Sequence, residues 1–218
     1  MKNNFQEYNV NYISGCMSLR VPQKDSLKIL HNICDEIELG KVDINSALER
    51  IHDLYPTCSN FERDFVSLTF ALATGVGKTR LMGAFITYLY TVHGIKNFFV
   101  VAPNLTIYNK LKADLSDTMN PKYVFKGLGC FSNPPNIISG ENYKEKARQI
   151  GLSEVTINIF NISKFNKEAN PDKSGNVPNM RKLSEFIGES YFDYLSKLDD
   201  LVLIMDESHH YRAAQSAK

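Results

Sequence analysis

The stretch Phe65-Val-Ser-Leu-Thr-Phe-Ala-Leu-Ala-Thr-Gly-Val-Gly-Lys-Thr79 decides the fold. From Phe65 to Leu72 it is a short apolar, partly β-branched run, the composition of a strand buried on both faces of a sheet. Ala73-Thr-Gly-Val-Gly-Lys-Thr79 follows at once. Its two glycines let the backbone curl tightly and turn N–H groups toward a phosphate. A helix expected from about Lys78 to Val92, with Gly94 as its stop, adds the positive end of its dipole. In this arrangement Lys78 reaches the β- and γ-phosphates of a nucleotide and the Thr79 hydroxyl binds Mg²⁺. The full pattern has a glycine five positions before Gly77, where this chain has Leu72. A glycine turn beside a chance lysine is the competing reading.

Downstream, Asn97 to Ala102 reads as a second buried strand and Ile107 to Leu115 as a helix. Thr156 to Ile162 reads as a strand, Asn166 to Asn179 as an exposed loop, residues 180–197 as helical and Leu201 to Met205 as the most strand-like run of the chain. Alternation of strand and helix implies a parallel α/β sheet with helices on both faces. Upstream, residues 1–22 show few periodic signals and are expected to be partly disordered. A helix from Pro22 carries Leu27, Leu30, Cys34 and Ile37, and a shorter one carries Ile44, Ala47, Leu48 and Ile51 before Tyr55-Pro56 stops it. The expected organisation is a helical lead-in over 1–60 and the α/β domain over 61–218.

At the end of the last strand stands Asp206-Glu-Ser-His209, which puts two carboxylates at the C-terminal edge of a parallel sheet, where such sheets bind ligands. Asp206 suits a Mg²⁺ ion held through its water shell. Glu207 suits the orientation and deprotonation of a water attacking the γ-phosphate. The competing reading is a polar helix start after a core strand. His209 and His210 point in different directions on any regular backbone, so a zinc site is not expected, and His209 reads as a polar link from the nucleotide site to another surface.

The 218 residues carry 25 Lys plus Arg against 24 Asp plus Glu, so no whole-chain field selects a nucleic acid or a membrane. Any such partner must meet a local patch. At 43% hydrophobic and 22% charged the chain can bury a core, which excludes a disordered or collagen-like class. Cys16, Cys34, Cys58 and Cys130 are scattered without a C-x-x-C pair, which argues against a zinc ribbon, a redox dithiol or a disulfide framework and for a reduced, cytoplasmic setting. Neither a signal-like start nor an apolar run long enough to span a membrane is apparent, and no membrane association is expected.

Taken together, these motifs resemble the superfamily 2 helicases and translocases of the DEAD/DEAH type, and within them the restriction (Res) subunit of type III restriction enzymes. The resemblance is carried by Leu72-Ala-Thr-Gly-Val-Gly-Lys-Thr-Arg80 (motif I), Val100-Val-Ala-Pro-Asn104 (motif Ia) and Asp206-Glu-Ser-His-His-Tyr211 (motif II), and more loosely by Leu19-Arg-Val-Pro-Gln23, which looks like the upstream Q-type element. It spans roughly residues 19–212. It implies a RecA-like domain that binds ATP and Mg²⁺ and grips nucleic acid along the C-terminal sheet edge. On that likeness Thr74, Gly75, Val76, Gly77, Lys78, Thr79 and Arg80 surround the nucleotide. Lys78, Asp206, Glu207 and His209 form the catalytic set, with Thr79 and Asp206 at the metal. Gln23 reads the adenine edge, for which an amide has both donor and acceptor; a glutamine just inside a helix N-terminus is the alternative reading.

Charge is uneven. Residues 122–182 hold ten Lys or Arg against five Asp or Glu, and residues 183–207 hold one against seven. The basic stretch, with Lys122, Lys126, Lys144, Lys146, Arg148, Lys164 and Lys167 interleaved with Tyr123, Phe125, Tyr143 and Phe165, suits a phosphate track, although any single lysine can equally be a solvated charge. The resemblance implies backbone contacts from Asn104, Thr106, Ser163 and Lys164, with double-stranded DNA as the expected nucleic acid. It further implies a second RecA-like domain and a modification or specificity subunit as partners. Without that second domain and its arginines the chain alone is expected to hydrolyse ATP poorly or not at all, as the N-terminal piece of a longer protein, a truncated gene product or one subunit of a split motor. Two other readings stay open: a regulatory nucleic-acid-binding fragment whose nucleotide site is only structural, and a P-loop small-molecule kinase, which would want an arginine-rich lid that the chain does not display.

Overall fold

Four parallel strands carry the architecture: β1 (Asn97–Ala102), β2 (Asn136–Ser139), β3 (Thr156–Asn161) and β4 (Leu201–Met205), in the spatial order β2-β3-β1-β4. The structure, a computed structural model, describes residues 7–40, 42–142, 154–161 and 191–207. β1 is central, with Val100 opposite Ile159 of β3 on one side and Ile204 of β4 on the other. All six residues of β3 and five of the six in β1 are buried, the outcome of apolar runs covered on both faces. On one face Phe99 stacks on Phe160, ring centroids 5.3 Å apart, with Tyr191 and Leu195 of a short helix beside them. The other face carries Phe98, Val100, Ile157 and Ile159 into the main core.

That core is built largely from helices N-terminal to the sheet. α1 (Val10–Cys16), α2 (Val21–Glu36) and α3 (Ile44–Leu54) precede α4 (Lys78–His93), α5 (Leu105–Ser116) follows β1, and α6 (Tyr191–Ser196) precedes β4. Ile13, Met17, Leu27 and Leu30 of the lead-in region share one cluster with Ala84, Ile86 and Tyr88 of α4. α4 begins after Gly77 and ends at Gly94, whose φ of 72° is the left-handed stop that its glycine permits. This all-parallel α/β sheet flanked by helices is the architecture of a RecA-like domain.

One local expectation is corrected, and two elements form that the sequence reading does not foresee. Residues 1–6 lie outside the described residues; within residues 7–22, where periodic signals are few, α1 forms at Val10–Cys16, capped by the Asn9 side chain, which accepts from the N–H groups of Asn11 and Tyr12. Its seven residues are too few to show a period, whereas an Asn N-cap followed by packing of Ile13 is enough to form it. The run Phe65–Leu72 forms no strand and joins no sheet among the described residues, and Phe65 is 51% exposed. Apolar composition cannot by itself supply the neighbouring strand that a ladder needs. β2, at Asn136-Ile-Ile-Ser139, is too short to show a pattern of its own and forms because β3 provides an edge. The loop expected over 166–179 and most of the helix expected over 180–197 lie outside the described residues, save Tyr191–Ser196, which is helical.

Candidate functional site

The phosphate loop owes its shape to two left-handed residues, Gly75 (φ 82°) and Gly77 (φ 98°), a backbone region that penalises any side chain. Gly77 is the N-cap of α4, so Lys78 and Thr79 open the helix; their N–H groups have no intrahelical acceptor, while the Arg80 N–H donates to the Gly77 carbonyl at 3.0 Å. Thr74, Gly75, Gly77 and Arg80 are exposed, whereas Val76, Lys78 and Thr79 are half-buried. The loop therefore offers its N–H groups and a cation at a helix N-terminus, which is what a phosphate chain requires.

Across from it, β4 delivers Asp206 and Glu207. The Asp206 N–H still donates to the Val101 carbonyl at 3.2 Å, carrying the sheet one residue past β4, and there the chain turns sharply. Glu207 takes a φ of 51°, rare for a side-chain-bearing residue and a place where strain is held by its surroundings. Its Oε1 accepts from Lys78 Nζ at 2.6 Å, a contact between residues 129 apart in sequence. Asp206 is drawn into the same electrostatic group: burial, then the Glu207 charge, raises its carboxyl above the usual aspartate range, while Lys78 pulls the other way. Lys78, Glu207 and Asp206, with Thr74, line a groove of about 1520 Å³ whose walls include β4 and the segment 64–72.

On the other side of the loop lies a smaller cavity of about 300 Å³, walled by Ser18, Arg20, Gln23, Gly75, Gly77 and Arg80. Gln23, 1% exposed, spends its amide inside the protein: Oε1 accepts from the Arg20 N–H and Nε2 donates to the Gly77 carbonyl, both at 2.8 Å. Arg20 donates from Nη1 to the Gly75 carbonyl at 3.1 Å, and Arg80 from Nη1 to the Met17 carbonyl at 2.8 Å. Sequence reasoning gives no part to Arg20. Its position as N-cap of α2, three residues before Gln23, is the signal that could single it out.

At the β1 edge Asn104 is the N-cap of α5 and accepts from the Ile107 N–H at 2.9 Å, and Thr106 is exposed in the first turn. α5 is tied to the end of β2 by Glu141, which accepts from Tyr108, from Ser139 Oγ at 2.9 Å and from Lys112 Nζ at 3.1 Å. Burial alone would push the Glu141 carboxyl up; these donors outweigh it and bring it down to about 2. Of the basic stretch, Lys122 and Lys126 are exposed, but Tyr123 and Phe125 are core residues, 8% and 1% exposed, and have no face to offer a base. Their alternation with lysines is that of a segment lying along the core with its charges outward. Ser163, Lys164, His209 and His210 lie outside the described residues, as do Tyr143, Lys144, Lys146, Arg148, Phe165 and Lys167.

A parallel sheet whose edge brings an acidic pair to a glycine-lysine loop at a helix N-terminus defines a nucleotide-binding, helicase-like N-terminal domain. Residues 17–218 match the family model described as type III restriction enzyme, res subunit, and the chain belongs to that family. No curated protein and no solved structure matches it. The residues present fit ATP with Mg²⁺: a lysine and helix-start N–H groups for the phosphates, and the Thr79 hydroxyl and the Asp206 carboxylate for a hard cation.

Proposed function

We propose that this chain is the ATP-binding, RecA-like portion of a DNA helicase or translocase of the type III restriction enzyme kind, in which ATP hydrolysis drives movement along duplex DNA. The carrying observation is the 2.6 Å meeting of Lys78 and Glu207, which converges the phosphate loop and the acidic strand end on one point. Bound ATP and Mg²⁺ supply the transferable phosphoryl group and the charge neutralisation that its transfer needs. Lys78 would exchange Glu207 for the β- and γ-phosphates, and Thr79 and Asp206 would hold the ion. Glu207, released, accepts the proton of the attacking water. His209 links this site to the nucleic-acid surface, where Asn104, Thr106, Ser163 and Lys164 contact the sugar-phosphate chain without reading sequence. A second RecA-like domain and a modification or specificity subunit complete the assembly, which works in the cytoplasm.

Titration calorimetry with ATP and Mg²⁺ tests the core of this reading. The chain is expected to bind and Lys78→Ala to weaken binding by at least roughly tenfold, the scale of removing one charge-assisted hydrogen bond. Equal affinity in both proteins overturns it. Duplex DNA binding should fall steeply with salt, one counterion released for each phosphate neutralised; binding that ignores salt removes DNA as the partner.

A further inference from the structure

We propose that His31, Tyr88 and His93 form an acid-sensitive clasp between α2 and α4, closed while at least one of the two nitrogens facing the Tyr88 hydroxyl carries no proton and open once both do. The clasp stands apart from the nucleotide site, at the other end of α4 from Lys78.

Two imidazoles from different elements meet on one hydroxyl. Nδ1 of His31, in α2, lies 2.8 Å from Tyr88 Oη, and Nε2 of His93, the last residue of α4, lies 3.2 Å from the same atom. Both rings stand edge-on to the Tyr88 ring, with centroids 5.7 and 5.3 Å from it. Tyr88 is 1% exposed, and burial pushes its hydroxyl up, so the group keeps its proton and has to find its partners inside the protein. The two gaps, from nitrogen to oxygen and from oxygen to nitrogen, hold two protons. The hydroxyl supplies one, donated to a bare nitrogen, and the other nitrogen supplies the second. When both nitrogens are protonated, three protons compete for two gaps, the hydroxyl loses its acceptor and one ring must leave.

The surroundings decide which ring stays bare. Burial holds the His93 imidazole below the ordinary histidine range; Asp35 opposes this, and charge on His31 adds to it. Asp35 Oδ1 lies 3.5 Å from His31 Nδ1, so a proton on that nitrogen has a carboxylate beside it. Among the described residues Cys34 and Asp35, both of α2, also act on Tyr88, and burial pushes the Cys34 thiol up to about 12, which keeps it neutral. His93 lines the large groove together with Asp35, Glu38, Asp199 and Asp200, carboxylates toward which a protonated ring can turn. With His93 lowered in the folded chain, the unfolded chain takes up the proton first as pH falls below the ordinary value of 6.5. The stability that the clasp contributes is therefore whole above that value and is lost as pH falls through the lowered one.

NMR titration of the histidine ring signals from about pH 8 to about pH 5, assigned with His31→Gln and His93→Gln, tests the clasp on the whole chain. Tyr88→Phe keeps the ring and removes the hydroxyl that required a bare nitrogen, so His93 should titrate at a higher pH than in the wild type. Burial without a clasp predicts the opposite, because phenylalanine is the drier neighbour; a titration unchanged or lowered in Tyr88→Phe overturns the proposal. Urea unfolding gives the second readout. At the alkaline end the wild type should exceed Tyr88→Phe by roughly fivefold in its folding constant, the scale of a buried hydrogen bond, and this advantage should shrink toward the acid end. An advantage equal at both ends overturns the clasp. His93→Gln offers the hydroxyl an amide that does not titrate, so it should lose less stability than the wild type over the same range, and an equal loss also overturns it.

Discussion

Lys78 and Glu207 neutralise each other across the site, so the nucleotide must part them before it can use either. Both side chains are about one-third exposed, at 30% and 27%, and the pair is correspondingly screened. Glu207→Gln is therefore expected to tighten ATP–Mg²⁺ binding by a modest factor, roughly two- to fivefold, while removing the proton acceptor for hydrolysis. Weaker binding by calorimetry would show that the pair helps the nucleotide instead. Asp206 is raised by burial first and by Glu207 second, so its ionisation opposes folding. The stability it contributes is whole below the ordinary aspartate range and is lost as pH rises through the raised value. Asp206→Asn should thus raise the urea midpoint at neutral pH, with the gain shrinking as pH falls through the raised value and gone below the reference value of 3.8. A gain that persists unchanged in acid would rule out this origin.

At the scale of elements, α4 is the piece on which the site depends, because its first turn carries the phosphate residues and its body lies in the core. Gly83 is the point of closest approach: a Cβ there would meet Val124 Cβ at 3.0 Å and Met17 Cε at 3.3 Å. Val124 Cβ is fixed to its own backbone and cannot yield alone, and both Val124 and Met17 are buried, 9% and 4% exposed. Gly83→Val is expected to cost about 1–3 kcal/mol through overpacking, read as a lowered denaturant midpoint; an unchanged midpoint would mean that the helix can shift. The ends of α4 are legible in the sequence because both depend on local glycine chemistry. α5 starts two residues before the Ile107 that its apolar pattern suggests, because Asn104, which the family resemblance points toward nucleic acid, spends its side-chain oxygen capping the helix.

For the molecule as a whole, β4 is the last strand of the sheet among the described residues, and its Leu203 and Met205 are 44% and 38% exposed and line the groove whose other wall is the segment before the phosphate loop. Residues 66–72 pair with no strand among those described, so their amides should exchange with solvent far faster than those of Phe98–Ala102 and Ile157–Phe160 at the centre of the sheet. Protection of both stretches to the same degree would place the segment in the sheet. What the sequence determined by itself was whatever depends on near neighbours: the glycine loop, the helix it opens, the strands at Asn97–Ala102, Thr156–Asn161 and Leu201–Met205 and the acids at a strand end, each a consequence of backbone freedom or of local composition within a few residues. Only the tertiary structure decided which strands find partners, that Lys78 meets Glu207, that Tyr123 and Phe125 face the core, and that Gln23 turns toward Gly77. Those depend on distances between residues far apart along the chain, which packing sets and no local pattern encodes.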